Sequence, residues 1–538
     1  MTASRVRPTM QDRHRRVPPS ASSGTGPAPS PGPAPAPSPG PAPAPRPTSA
    51  DGLLWVGLFV LLSFVQITLV LASWEGRFLE KVWVLGAMLS VLVIDEWRRV
   101  GHPLTPAGII GTGSLLVFVL RPLTIASRGA TTAGASLDAR GFSGQTAAAA
   151  VLAANQVALF FVVFGIVYSV FVHRPMAAAS SPVPRQSVSP WQVQRARRLL
   201  LAVTLLTGAV SVYLLQSLGG VGAFVSGLSV RSSFLSGKFY LTLGYLPLAA
   251  SLVVYLLMRE SHVPGKAWDR TARVSLVVLV LSASTGGGRG PLLLGVLLPL
   301  LIVRQFSRPI RTPVLLGTGL AVLVGAMLMS VFLRENVYTE GAALAQLRES
   351  PVNALLDRLT SGAETRPFDS LIVLNSADIS GELPVLYGST YASVPTWFVP
   401  GSIAGDKGGA NTWFTQTYLP RFYYPDHIET SISAPGEAFA NFRWAGIVGI
   451  GAGLAVLAAA FSRRRRRTVL AMALTALLAP LFFSLTRGDS YQNIPVALLL
   501  TLSVVLAHRV AVGRRPVLRV ARVEPRVTQR RRGEHPAP

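Results

Sequence analysis

Apolar runs of about twenty residues, separated by short polar stretches, recur along most of this chain, and that is the length a helix needs to cross a bilayer. The pattern predicts spans at 53–73, 79–95, 104–123, 147–172, 199–218, 239–258, 274–286, 290–303, 313–333, 444–461, 468–486 and 491–508. The seventh and eighth are short for full crossings. A re-entrant hairpin there would leave the orientation of the others unchanged. The expected fold is an all-α polytopic membrane protein of about twelve transmembrane helices.

Residues 51–333 hold the first nine spans and 444–508 the last three, so the polar stretch 334–443 is the one large loop. A loop of that length in a compact protein is usually functional. Leu344, Leu347, Leu355, Leu356 and Leu359 predict an amphipathic helix over 344–360, whereas the Pro, Gly and aromatic residues of 384–425 predict an irregular, packed loop. Residues 1–50 are basic and then Pro-rich, with Ser-Pro-Gly-Pro-Ala-Pro-Ala-Pro in tandem at 30–37 and 38–45. Such a segment buries no core and is expected to be a disordered cytoplasmic tether. It is too hydrophilic for a signal peptide, so the first span is expected to be an uncleaved anchor. Residues 509–538 form a basic tail.

Composition sharpens this picture. Of 538 residues 14% are charged, against about 25% in soluble domains. The net charge of +26 is explained by placement. With the N-terminus inside, 34 of the 50 basic residues fall in cytoplasmic segments, as expected of groups that resist translocation. Both termini are then cytoplasmic in a plasma membrane and the long loop is extracytoplasmic. Nucleic acid is not needed to explain the charge, and no basic-aromatic module of the usual kinds occurs. The absence of Cys excludes disulfides, thiolate metal sites and cysteine nucleophiles.

The informative arginines are those on the outer side. Arg289 lies in Ser-Thr-Gly-Gly-Gly-Arg-Gly-Pro between spans seven and eight, Arg487 in Thr-Arg-Gly-Asp-Ser between spans eleven and twelve, and Arg121 near the outer end of span three. Arginine forks match phosphate oxygens bidentately, and neighbouring glycines let backbone N–H groups approach a ligand. This points to a phosphate or pyrophosphate at the membrane surface. The plainer alternative is arginine snorkelling to headgroups or capping helix C-termini. The long loop adds Arg421, His427, Asp369, Glu437 and Asn441 among aromatics, the mixture that sugar recognition needs. Asp489 follows Arg487 in its turn. A carboxylate such as Glu437 near the membrane surface could take a proton from an attacking hydroxyl, although any one of these residues could equally satisfy the loop's own backbone.

There is no Gly-Lys-Ser/Thr phosphate loop, no His-Glu-x-x-His and no paired Asp-x-Asp, so neither a nucleotide nor a metal is expected. The spans carry few acids besides Asp95 and Glu96, which weakens an ion-coupled transporter reading.

In its loop-then-three-spans ending, the Ser-Thr-Gly-Gly-Gly-Arg-Gly-Pro hairpin, the Gly436-Glu437-Ala438-Phe439-Ala440-Asn441-Phe442 segment with Gly446 following, and the Arg487-Gly488-Asp489 turn, the chain resembles the Wzy-type oligosaccharide repeat-unit polymerases, relatives of O-antigen polymerases and ligases. The resemblance covers roughly 53–508, and where members often have Gly after Asn-Phe this chain has Arg443. It implies a GT-C-like fold and a metal-independent transfer of a polyprenyl-pyrophosphate-linked glycan onto the next lipid-linked repeat unit, in surface or exopolysaccharide assembly. No cofactor is implied, because pyrophosphate is the leaving group, while a flippase and a chain-length regulator of the same pathway would be partners. Arg289 and Arg487 would hold the pyrophosphate with help from Arg421, and Glu437 or His427 would orient or deprotonate the acceptor hydroxyl. Arg121, Asp369, Asn441 and Asp489 would contact substrate. A glycan ligase of the same fold, a flippase or exporter of lipid-linked sugars, and a non-catalytic scaffold remain alternatives.

Overall fold

The computed structural model describes residues 49–513, except 73–76, 129–145, 174–187, 228–233, 236, 263–267, 287–288, 308–309, 331–341, 352–353, 355–365, 400–402, 404–407, 425–428 and 465–467. The expected tether 1–50 and tail 509–538 lie almost wholly outside the described residues. Every described regular element is helical. The first nine long helices are α1 (Ser49–Ala72), α2 (Phe78–Val100), α3 (Pro106–Ala126), α4 (Thr146–His173), α5 (Pro190–Ser217), α6 (Tyr245–His262), α7 (Arg270–Ser284), α8 (Gly290–Ser307) and α9 (Thr312–Ser330). The long loop contributes α10 (Arg366–Ile379) and α11 (Ala410–Tyr418), followed by α12 (Ala434–Arg464), α13 (Val469–Arg487) and α14 (Ser490–Val512).

Among the described residues nine helices are long and apolar enough to cross a membrane, and each falls on an expected span. They include neither α2, which carries Glu80, Lys81, Asp95, Glu96, Arg98 and Arg99, nor α7, which has only 15 residues, nor α9 on the ninth expected span.

The starts of several helices are written in the sequence. Thr105 accepts a hydrogen bond from Gly108 N ahead of α3, Ser189 and Gln192 form a reciprocal capping box ahead of α5, and Asp269 and Thr468 cap α7 and α13. These are side chains that satisfy the orphan N–H groups of a first turn. Prolines reshape two helices further along. Pro122 and Pro299 have no N–H to return to the carbonyls four residues earlier, and the backbone widens into π turns at Leu116–Leu120 and Leu293–Leu297.

Among the described residues two large apolar cores form, beside a small cluster of Leu214, Leu218 and Leu235. One joins α1 to α4 with α10, α11 and α12, and the other joins α5 to α8 with α13 and α14. Phe461 and Phe483 pack against both. The most extensive seam among the described residues is α4 against α12. Ala149, Ala150, Ala153 and Ala154 of α4 and Ala455, Ala458 and Ala459 of α12 are all buried, and a Cβ on Gly451 would stand only 3.0 Å from the Phe160 carbonyl oxygen. Small residues allow this approach, which is how helices associate where lipid removes the hydrophobic drive.

The long loop departs from expectation in three ways. Its apolar stretch Phe368, Leu371, Ile372, Val373, Leu374 and Ala377 forms α10, a helix the span pattern does not predict, in which every residue from 367 to 377 is buried. At 14 residues α10 is about 21 Å long, too short to cross a bilayer. It packs along α4 instead, and Gln156 and Asn375 exchange amide hydrogen bonds of 2.7 and 2.9 Å. Second, the described part of the expected 344–360 helix is the shorter Ala342–Glu349. Third, the supposedly irregular 384–425 contains α11 and short turns at Ser389–Ala392, Val394–Phe398 and Pro420–Tyr423. The Asn411-Thr-Trp-Phe-Thr-Gln-Thr-Tyr run sits between glycines and prolines without being broken by them.

Polar residues gather at the two ends of the bundle. At one end Glu96, wholly buried, accepts from Arg99 and from Tyr168 Oη at 2.6 Å, and Tyr168 also meets Ser462 at 3.0 Å. Glu437 lies at the other end of α12, roughly 37 Å away along the axis at about 1.5 Å per residue.

Candidate functional site

That far end holds six of the nine sequence-predicted residues: Arg121, Asp369, Glu437, Asn441, Arg487 and Asp489. The α13–α14 turn, Arg487-Gly488-Asp489, is its centre. Asp489 is the N-cap of α14, accepting from Gln492 N at 3.2 Å through Oδ1. Its Oδ2 accepts from Asn411 N at 3.0 Å in the first turn of α11. One carboxylate thus serves the positive ends of two helices. The residue at the cap position of α11 is Gly409, which has no side chain to offer. A Cβ there would meet Asp489 Oδ2 at 2.5 Å and Tyr491 Cβ at 2.3 Å, so only glycine admits the shared cap. Burial pushes the Asp489 carboxyl above the usual aspartate range, against the pull of the two N–H groups.

Glu437 comes from the first turn of α12 and is 2% exposed. Its Oε1 accepts from Thr390 Oγ1 at 2.8 Å and from Ser490 Oγ at 2.5 Å, and its Oε2 accepts from Ser490 N at 2.8 Å. Asn441, one turn on, donates to Thr390 Oγ1 and to the Glu437 carbonyl, both at 2.8 Å. Three donors on one buried carboxylate make Glu437 an anchor that ties the loop turn at Thr390 to the start of α14. The sequence suggests a base near the membrane surface, and in the structure three donors converge on this carboxylate.

Glu437 also belongs to the same long helix as the tenth expected span, because α12 begins ten residues earlier than expected. The helix bends at Arg443, whose φ of 55° and ψ of −142° are glycine-like values. This is the position where the resembled family often has Gly. Arg443 is held there by an ion pair to Asp378 at 3.0 Å, a hydrogen bond to the Leu383 carbonyl at 2.7 Å, and the face of Phe439. The bend presses the Ala438 carbonyl against Gly446, where a Cβ would lie 2.2 Å from that oxygen.

Arg121 and Asp369 find each other. Arg121 Nε and Nη2 donate to Asp369 Oδ1 and Oδ2 at 2.9 and 2.8 Å, and both residues are buried. The sequence leads one to expect both at the substrate. The structure joins them as an ion pair between α3 and α10, with burial raising the Asp369 carboxyl and the guanidinium opposing that shift. Next to Asp369, Ser370 Oγ donates to the Ser431 carbonyl, and Ser431 Oγ donates to the Arg487 carbonyl. The ion pair, the loop and the α13–α14 turn therefore form one connected array. The Arg487 side chain itself is half-buried.

Arg289 opens the helical turn Arg289–Leu292 that leads into α8, and Arg421 lies in the turn Pro420–Tyr423. Their side chains, and all of His427, lie outside the described part of the structure.

Several residues that the sequence did not single out belong to the array. Thr390, Ser490 and Asn411 link its parts, and Asn411 Oδ1 also accepts from Ile432 N at 2.9 Å. Glu429 accepts from Thr412 Oγ1 at 2.6 Å and from Gln492 Nε2 at 2.7 Å. Lys81, wholly buried, stands one turn into α2 from Phe78, whose ring meets that of Phe368 beside Asp369. A lysine buried in an apolar segment is the one signal here that sequence could have supplied. The chain matches no family model, no curated protein and no solved structure.

Proposed function

We propose that this protein is a membrane glycosyltransferase that moves a polyprenyl-pyrophosphate-linked glycan onto the next lipid-linked repeat unit, and that the array around the Arg487–Asp489 turn frames its site. The observation that carries this reading is the convergence of Arg487, the Glu437 and Asp489 carboxylates and the N-termini of α11 and α14 at one end of the bundle, opposite the Arg99 end. The two N-termini are capped by these carboxylates, and it is the Arg487 guanidinium that favours an anion. In this reading Arg487 and Arg289 stabilise charge developing on the departing pyrophosphate, an electrostatic contribution that needs no metal or nucleotide. Arg421 supplements them and His427 orients the acceptor hydroxyl. Glu437, Asn441, Asp489 and the Arg121–Asp369 pair keep the loop seated on the helices. The site end faces away from the cytoplasm and both termini lie inside, as the placement of basic residues favours.

The test is an assay with purified protein in liposomes, given a lipid-linked repeat unit without metal or nucleotide. A ladder of repeat multiples that disappears in Arg487→Ala and Arg289→Ala is the expected result, and a full ladder in both variants would sink the assignment. Transfer to a different acceptor would instead favour the ligase. Sidedness can be read separately, because the chain has no Cys. Glu382→Cys should react with an impermeant thiol reagent applied to intact cells, and Arg198→Cys should not.

A further inference from the structure

The strongest signal outside this array is a crevice on the lipid-facing side of α1. A cavity of about 250 Å³ lies between α1, α4 and the start of α12, lined by Gln66, Val70, Leu71, Asn155, Val162 and Trp444 among others. Its outer wall opens sideways, since the lining residues Ile67 and Leu71 are 39% and 75% exposed. The neighbouring surface of α1 is apolar, with Leu54, Leu61 and Phe64 more than half exposed. A ligand entering here comes from the hydrocarbon of the bilayer.

Gln66 is the anomaly. It is 1% exposed, it lines the cavity, and among the described residues neither its Nε2 nor its Oε1 has a hydrogen-bond partner. An amide buried in an apolar setting without a partner costs several kcal/mol, and unpaired N–H groups are less tolerated than unpaired carbonyls. An acceptor oxygen presented from the crevice would supply the partner that Nε2 lacks, with Asn155 as the other side-chain amide of the lining. The described lining offers no basic side chain to neutralise a charged phosphate. A neutral carbonyl at the head of a hydrocarbon chain meets both requirements.

We infer that the crevice between α1, α4 and Trp444 binds one acyl chain of a bilayer glycerolipid, with its ester carbonyl accepting a hydrogen bond from Gln66 Nε2. Its size suits part of one chain, being just below the usual range of roughly 300–1,000 Å³ for small-molecule sites. The lipid acts as a wedge that completes the packing of α1, beside but separate from the polar array that begins at Asn441, three residues before Trp444. This inference does not depend on the proposed reaction.

The test is native mass spectrometry of the purified full-length protein, titrated with dioleoyl phosphatidylglycerol and with its diether analogue, which has the same headgroup and no ester carbonyl. The tightest-bound copy should favour ester over ether by about five-fold, the scale of one net hydrogen bond. Gln66→Leu should bring that ratio to about one, and Val70→Trp, which fills the crevice, should remove the tight copy of both lipids. Equal affinity for ester and ether in the unsubstituted protein would overturn the inference without recourse to any variant. So would retention of the tight lipid in Val70→Trp, its displacement by polyprenyl phosphate, or a lipid-free dimer.

Discussion

Glu437 holds Ser490 twice, taking its backbone N–H on one carboxylate oxygen and its hydroxyl on the other. The contact joins the first turn of α12 to the first turn of α14, and Thr390 adds the loop. Removing the carboxylate strands three buried donors, at roughly 1–3 kcal/mol for each one left unpaired. Glu437→Ala should therefore lower the thermal midpoint in detergent by several degrees. Glu437→Gln, which keeps a carbonyl acceptor, should recover most of it. A group acting chiefly as a base gives the opposite pattern, with activity abolished equally by both substitutions and the midpoint unmoved.

The Arg121–Asp369 pair is buried on both sides. Breaking such a pair from either side leaves an uncompensated charge and costs about 3–5 kcal/mol, whereas replacing both partners costs much less. Arg121→Leu and Asp369→Leu should each destabilise severely, and the double variant should be more stable than either. Additive losses across that cycle would show that the two residues act independently.

Arg443 presents a contest between backbone and side chain. A positive φ costs an L-residue on the order of 1 kcal/mol that glycine avoids, while the Asp378 ion pair and the Leu383 hydrogen bond favour arginine. Arg443→Ala loses the contacts and keeps the strain, so it should be less stable than Arg443→Gly by about 1 kcal/mol. Gly446→Ala should be worse than both, because the opposing atom is the Ala438 carbonyl oxygen and backbone gives way less readily than a side chain. Thermal midpoints of the three variants, ranked against the parent, decide this.

Burial raises the Asp489 carboxyl, so the folded protein binds this proton more readily than the unfolded chain does. The stability it contributes relative to a neutral residue is present below the ordinary aspartate value of about 3.9 and is lost as pH rises through the elevated folded value. Asp489→Asn is neutral throughout and keeps one acceptor. Melting curves of both proteins from pH 4 to 7 should show the parent losing ground to Asp489→Asn as pH rises. Parallel curves would mean the carboxyl has its ordinary value.

The helices were legible because lipid demands long apolar runs, whereas a cap such as Ser189, which starts α5 at Pro190 and not at 199, went unread. Arg487, Asp489, Glu437 and Asn441 stood out as polar residues beside spans, and Ser490, Thr390 and Ser431 link them into one array. What one chain could not reveal was pairing across distance. Arg121 and Asp369 are 248 residues apart, and nothing local tells an arginine aimed at a ligand from one aimed at a carboxylate. Helix α10 was hidden for a different reason: its apolar residues form too short a run to register as a span, and burial on all sides leaves no amphipathic period to read.

The seam of α4 with α10 and α12 has a consequence in time. Its partners emerge from the ribosome roughly two hundred residues after α4 is complete, which at about 5–20 residues per second is some ten to forty seconds. Through that interval Gln156 has no Asn375, and the alanine face that will receive α12 has only α1 and α2 beside it. The first half of the protein is built around a gap that the second half fills, so a nascent chain stalled before residue 366 should still be extractable by mild detergent as a loose, protease-sensitive bundle.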